Sequence, residues 1–172
     1  MDYDENNNIQ TGISIRLNKA VTGKLTIPNY INGQKVIKFV STIQSERVTV
    51  CDQFLKNVSH VFFEKDENNR TNILSIGDYT FLRCYNLRYF EFANGLVNIG
   101  AYAFYNCADN ENSLGLKDST IINNTIRNIG IRAFLHGYNV TDSDNKDLII
   151  DGNVKSIGVR AFSNINLSGV KF

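Results

Sequence analysis

The chain has 172 residues, 42% of them hydrophobic, with 18 lysines and arginines against 17 aspartates and glutamates. That length suits one ordinary domain or one short repeat array with its own core. A net charge of +1 leaves no field of one sign to gather nucleic acid or an anionic membrane surface, and no run of about 18 apolar residues predicts a membrane-spanning helix.

The three cysteines, Cys51, Cys84 and Cys107, are too few and too odd in number for a disulfide framework. Asparagine occurs 24 times. It tolerates left-handed backbone and closes turns, so its abundance fits many tight corners; the base bias of an AT-rich genome would produce the same count.

Residues 1–10 open with Met1-Asp2-Tyr3-Asp4-Glu5. This acidic, polar run is neither a signal peptide nor a transit peptide, and it predicts a disordered tail. Residues 11–40 predict an N-terminal β cap. Ile13 to Leu17 alternates apolar and polar residues, Leu25-Thr26-Ile27 stops at Pro28, and Asn32-Gly33 is a two-residue hairpin signal. Residues 41–72 predict a decayed repeat and a loop. Val50 and Phe54 stand in for anchor residues, a strand follows from Val58 to Phe63, and 64–72 is polar.

Residues 73–172 carry the regular pattern. Ile76-Gly77-Asp78-Tyr79-Thr80-Phe81 returns as Ile99 to Phe104, Ile129 to Phe134 and Ile157 to Phe162. The isoleucines are 23, 30 and 28 residues apart, a spacing that signals stacked supersecondary units. An apolar residue precedes each isoleucine by three: Ile73, Leu96, Ile126 and Val154. A strand follows each phenylalanine: Leu87 to Phe92, Thr120 to Ile122, Leu148 to Ile150 and Leu167 to Phe172. Insertions after Phe104 (108–113) and Phe134 (139–147) predict loops leaving one side of the stack. One such strand cannot bury its face alone, and stacking about 4.8 Å apart gives a parallel sheet. Phe81, Phe104, Phe134 and Phe162 then form a core column, with glycine at the sharp bend after each isoleucine. About five units are expected, counting the decayed one.

The segment Leu87-x-x-Phe90-x-Phe92, with Ile99-Gly100-x-x-Ala103-Phe104-x-x-Cys107, resembles the BspA-like leucine-rich repeat, and Ile76 to Cys84 fits the same pattern. Gly137 replaces the cysteine in one unit, and no cysteine follows Phe162. The resemblance implies a leucine-rich-repeat solenoid, with a short parallel sheet on one face and turns or short helical turns on the other. It further implies a non-enzymatic adhesion or protein-binding module of a cell-surface or secreted protein, with a host or matrix protein as partner and no nucleic acid or direct membrane insertion.

The chemistry-bearing residues form no catalytic pattern. Cys84 and Cys107 fall on neighbouring units and read as two small apolar thiols in a column, with an inter-unit disulfide as the alternative. His60 and His136 lack a nucleophile at a motif spacing, which leaves a small hydrolase as the weakest reading. Asp142 to Asp147 puts Lys146 and Asp147 where a calcium loop needs an oxygen ligand and glycine. No cofactor or metal is expected.

Strand alternation instead marks a face. With Phe90 and Phe92 inward, the outward residues are His60, Phe62, Tyr89, Glu91, Ile121, Ile149 and Lys171, a candidate partner-binding sheet face. A spacer that presents another domain without binding anything would be expected to carry a wholly polar face there. The terminal strand invites edge-to-edge self-association or a longer natural protein.

Overall fold

The computed structural model describes residues 2–108, 115–116, 121–138, 147–151, 153–165 and 169–171. In chain order the strands are β1 (Asp2–Tyr3), β2 (Ile9–Gln10), β3 (Ile13–Ile15), β4 (Thr22–Ile27), β5 (Tyr30–Ile31), β6 (Gln34–Phe39) and β7 (Asn57–Phe63). They continue as β8 (Ser75–Ile76), β9 (Tyr89–Phe90), β10 (Asn98–Ile99), β11 (Ile121–Ile122), β12 (Asn128–Ile129), β13 (Asp147–Ile150), β14 (Ser156–Ile157) and β15 (Gly169–Lys171). No helix occurs among the described residues.

The strands build two kinds of parallel ladder, where one sheet was expected. The first runs in the order β14-β12-β10-β8-β6-β3. Its register aligns Ile15, Phe39, Ile76, Ile99, Ile129 and Ile157. Each isoleucine of the motif is therefore a strand residue in its own right, not only the corner before a turn. The second kind carries the expected strands, as β4-β7-β9 and, separately, β11-β13-β15. Alternation sends Leu25, Ile27, Val61, Phe63, Phe90, Ile122, Leu148 and Ile150 inward, all buried.

Between the two ladders each unit passes through a turn, not a helix. Tyr79, Tyr102, Arg132 and Arg160 have φ of 57°, 55°, 52° and 58°, and four residues later Arg83, Asn106, His136 and Asn164 are left-handed again. This geometry lets alternate amides reach the next unit. Tyr79, Phe81 and Arg83 donate to the carbonyls of Ala101, Ala103 and Tyr105 at 2.9, 2.7 and 2.8 Å; Tyr102, Phe104 and Asn106 donate likewise to Ile131, Ala133 and Leu135. Leu82 and Cys84 close their own turns onto Tyr79 and Phe81.

The core is the phenylalanine column. Phe81–Phe104, Phe104–Phe134 and Phe134–Phe162 stack at 5.4, 5.1 and 5.2 Å with planes 5–6° apart. Phe39 extends the column below Phe81 at 5.9 Å.

Several expectations change. The glycine of the motif sits at no positive φ. A Cβ on Gly130 would lie 2.4 Å from the Ala101 amide nitrogen, and on Gly158 equally near that of Ile131, so glycine is needed for the close approach of neighbouring units. Val50 is 63% exposed and anchors nothing. Phe39 aligns with Ile76, and the buried Leu55 bonds to Asp52 as Cys84 bonds to Phe81. Residues 11–40 contribute β3 and β6 to the first ladder and β4 to the second kind, with β3 and β4 at the ladder ends; β5 folds back, antiparallel on β6. The first ladder consequently has six parallel strands, one more than the units expected.

Residues 2–10 form a β1–β2 hairpin, not a disordered tail. The Asp4 carboxylate accepts from the amides of Asn6 and Asn8 and from the side chains of Asn8 and Gln10, and Glu5 pairs with Arg70. Cys84 is disulfide-bonded to Cys51, with Cα atoms 5.2 Å apart, and not to Cys107, which is buried and keeps its thiol. The predicted insertions at 109–113 and 139–146, with Thr120, Leu167, Ser168 and Phe172, lie outside the described residues.

Candidate functional site

On β7, His60 and Phe62 alternate with the buried Val61 and Phe63, so both rings stand on the outer side of the ladder. They are parallel to within 7°, centroids 6.4 Å apart. Tyr89 pairs with His60 across β7 and β9 and sets its ring 6.1 Å from His60 and 5.3 Å from Phe62. The three half-buried rings form one aromatic cluster.

Glu91 lies next to it. Its carboxylate accepts from the Phe63 amide at 3.1 Å and pairs with Lys65. Burial, with the Glu91 carboxylate adding to it and Lys65 opposing, pushes the Tyr89 hydroxyl above its usual range. Tyr89 is therefore a neutral hydrogen-bond donor at physiological pH. His60 holds its Nδ1 2.9 Å from the Ser59 hydroxyl.

The other predicted face residues sit on the second group of strands. Ile149 is 42% exposed between the buried Leu148 and Ile150. Lys171 is exposed and pairs with Asp147. Ile121 aligns with Ile149, and Ile149 with Lys171; the Ile121 side chain lies outside the described residues. The strands β9 and β11 belong to separate ladders, so the aromatic cluster and Ile149 are not joined by one hydrogen-bonded sheet.

The arrangement offers contact surface and directional hydrogen bonds. Among the described residues no three His, Cys, Asp or Glu side chains come together as a metal site. Burial pushes the Cys107 thiol up to about 12, which removes it as a nucleophile near neutrality. A cavity of about 330 Å³ opens beside the N-terminal hairpin, lined by Asp4, Glu5, Arg127 and Lys155 among others. His136 is far in sequence from His60 and bonds to Asn164 at 3.2 Å.

Sequence reasoning missed the outer side of the turns, where Tyr102 touches Tyr79, Tyr105 and Arg132. Its signal was present: tyrosine or arginine stands third after the isoleucine in every regular copy of the motif.

Residues 57–172 match the model of the BspA type leucine rich repeat region, in six copies. No curated protein and no solved structure matches the chain significantly.

Proposed function

The chain belongs to the BspA-type leucine-rich-repeat family, and on that premise we propose that it is a solenoid serving as a non-enzymatic adhesion or protein-binding module of a cell-surface or secreted protein. The observation that carries this reading is the outward cluster of His60, Phe62 and Tyr89 beside the Glu91–Lys65 pair. Interlocked aromatic rings supply contact area at little entropic cost, and aromatic residues are enriched where interfaces bind tightly. A spacer would not need them. Ile149 and Lys171, with Ile121, extend the proposed surface along the second group of strands. The partner is a protein, of the host or its matrix.

The Cys51–Cys84 disulfide supports an oxidising compartment, in keeping with secretion or surface display. The outer edge of β15 is the proposed place for pairing with a second copy.

Beads coated with the protein, set on solubilised matrix proteins, test the main reading. The double variant Phe62→Asp, Ile149→Asp should keep its circular dichroism spectrum and lose at least tenfold in adhesion. Unchanged adhesion by the folded variant would refute the sheet-face reading and favour the spacer.

A further inference from the structure

The turns carry a second surface that the sheet-face reading does not use. The residue two after each motif glycine is left-handed, and in the regular units it is Tyr79, Tyr102, Arg132 or Arg160. These four sit one per unit, in register, because Tyr79 bonds to Ala101, Tyr102 to Ile131 and Arg132 to Val159. The residues just before them form a neighbouring column: Asp78, Ala101, Ile131 and Val159.

The two columns change character along the stack. Toward the first units lie Asp78 and Tyr79, with Glu46 accepting from the Tyr79 hydroxyl at 3.4 Å. Toward the last units lie Arg132 and Arg160 beside Ile131 and Val159, which are 50% and 71% exposed. Tyr102 joins the halves: its ring stacks on Tyr79 at 5.2 Å and meets Tyr105 at 5.4 Å. Arg132 lies over that ring at 5.6 Å and donates to the Tyr102 hydroxyl at 2.8 Å.

The guanidinium of Arg132 is thus held in place before any partner arrives. No carboxylate among the described residues forms an ion pair with Arg132 or Arg160. Two arginines in register on adjacent units, whose backbones lie roughly 5 Å apart, put like charge on one wall and call for an anion. The aliphatic pair beside them calls for apolar contact. A sulfated glycan or a nucleic acid would meet the first demand and leave the second unmet. A polypeptide with carboxylates and aliphatic side chains meets both, and arginine with tyrosine is the pairing that dominates tight protein interfaces.

We propose that Arg132 and Arg160, with Tyr102, Ile131 and Val159, form a second docking surface for an acidic, amphipathic polypeptide segment. Its carboxylates lie over the arginine column and its aliphatic side chains over Ile131 and Val159. Asp78 and Glu46 repel such a segment from the other end and set its position on the wall.

Fluorescence anisotropy on the whole chain tests this with three labelled probes: a peptide of three Glu-Leu-Leu-Glu units, the same peptide with Gln for Glu, and a heparin hexasaccharide. The acidic peptide should bind, and more weakly as salt is raised. The variant Arg132→Asn, Arg160→Asn should weaken it at least tenfold; asparagine keeps the left-handed backbone, as Asn106 and Asn164 do natively. Ile131→Ser alone should weaken it several-fold, and it carries the test if the double variant melts abnormally. Phe62→Asp, Ile149→Asp should leave this binding intact, which separates the surface from the sheet face. Equal binding of the Gln peptide, or unchanged binding by both turn variants, would overturn the proposal. Preferred binding of heparin, indifferent to Ile131→Ser, would overturn it in favour of a sulfated glycan.

Discussion

Phe104 and Phe134 lie 30 positions apart in sequence, yet their rings stack at 5.1 Å with planes 6° apart. Both are fully buried. Each is held from above and below by another phenylalanine, so loss of one ring empties space that its neighbours cannot close without tilting.

Phe104→Ala is therefore expected to cost about 3–5 kcal/mol. Phe162→Ala should cost less, since Phe162 is only partly buried. Urea denaturation followed by circular dichroism checks the order; equal losses would mean that the column does not act as the core.

Gly130→Ala is expected to destabilise by roughly 1–3 kcal/mol, because the new methyl meets the backbone of Ala101 and not a movable side chain. Gly23→Ala has open space around it but a φ of 80°, and should cost about 1–2 kcal/mol through the left-handed backbone alone. The same denaturation series measures both losses, and no loss in either variant would contradict the close approach at Gly130 or the backbone strain at Gly23.

Reducing the Cys51–Cys84 bond frees a loop closed over 33 positions, worth about 3–4 kcal/mol in the chain-entropy account. Thermal melts with and without dithiothreitol should show a matching drop in Tm. Cys107, with its thiol pushed up to about 12, should resist alkylation at pH 8 until the chain unfolds; rapid labelling of the native protein would contradict its burial.

The N-terminal hairpin should loosen in acid. The Asn8 amide, with smaller help from the Asn8 and Gln10 side chains and the Asn6 amide, holds the Asp4 carboxyl below its ordinary value of 3.8. A group depressed in the folded state stabilises fully above its unfolded pKa and loses that contribution as pH falls through the folded one. Exchange protection at Asn6 and Asn8 should hold at pH 5 and fall below about 3.8. Asp4→Asn should show the loosened hairpin already at pH 5.

What was legible in the sequence was whatever repeats. The column from Phe81 to Phe162 follows from the recurrence of Ile-Gly-x-x-(Ala/Thr)-Phe, and the outward placement of Phe62 and Tyr89 from two-residue alternation. Where the motif is missing the signal failed. In the early unit the anchor is Phe39 and Val40 follows it in place of glycine, so Val50 looked the better candidate. The hairpin of residues 2–10 escaped because its stability comes from one carboxylate gathering four donors, not from apolar periodicity. The pairing of Cys51 with Cys84 depends on how an irregular segment lies over a regular one, which spacing does not encode. The left-handed turns escaped because tyrosine and arginine carry no local preference for that conformation; hydrogen bonds to the next unit impose it.

Those hydrogen bonds give the stack a direction. From Tyr79, Tyr102 and Arg132 onward, the described inter-unit amides of each turn point to the carbonyls of the unit that follows, while the amides of Gly77, Gly100, Gly130 and Gly158 just before them point back along the ladder. Each unit is a plug on one side and a socket on the other. A whole unit copied or deleted within the chain leaves every junction of the turns of the same kind, donor against acceptor. An array of this kind can drift in length over evolutionary time while its handed order is kept, and the surfaces on its turns and sheet lengthen or shorten with it, one residue per unit.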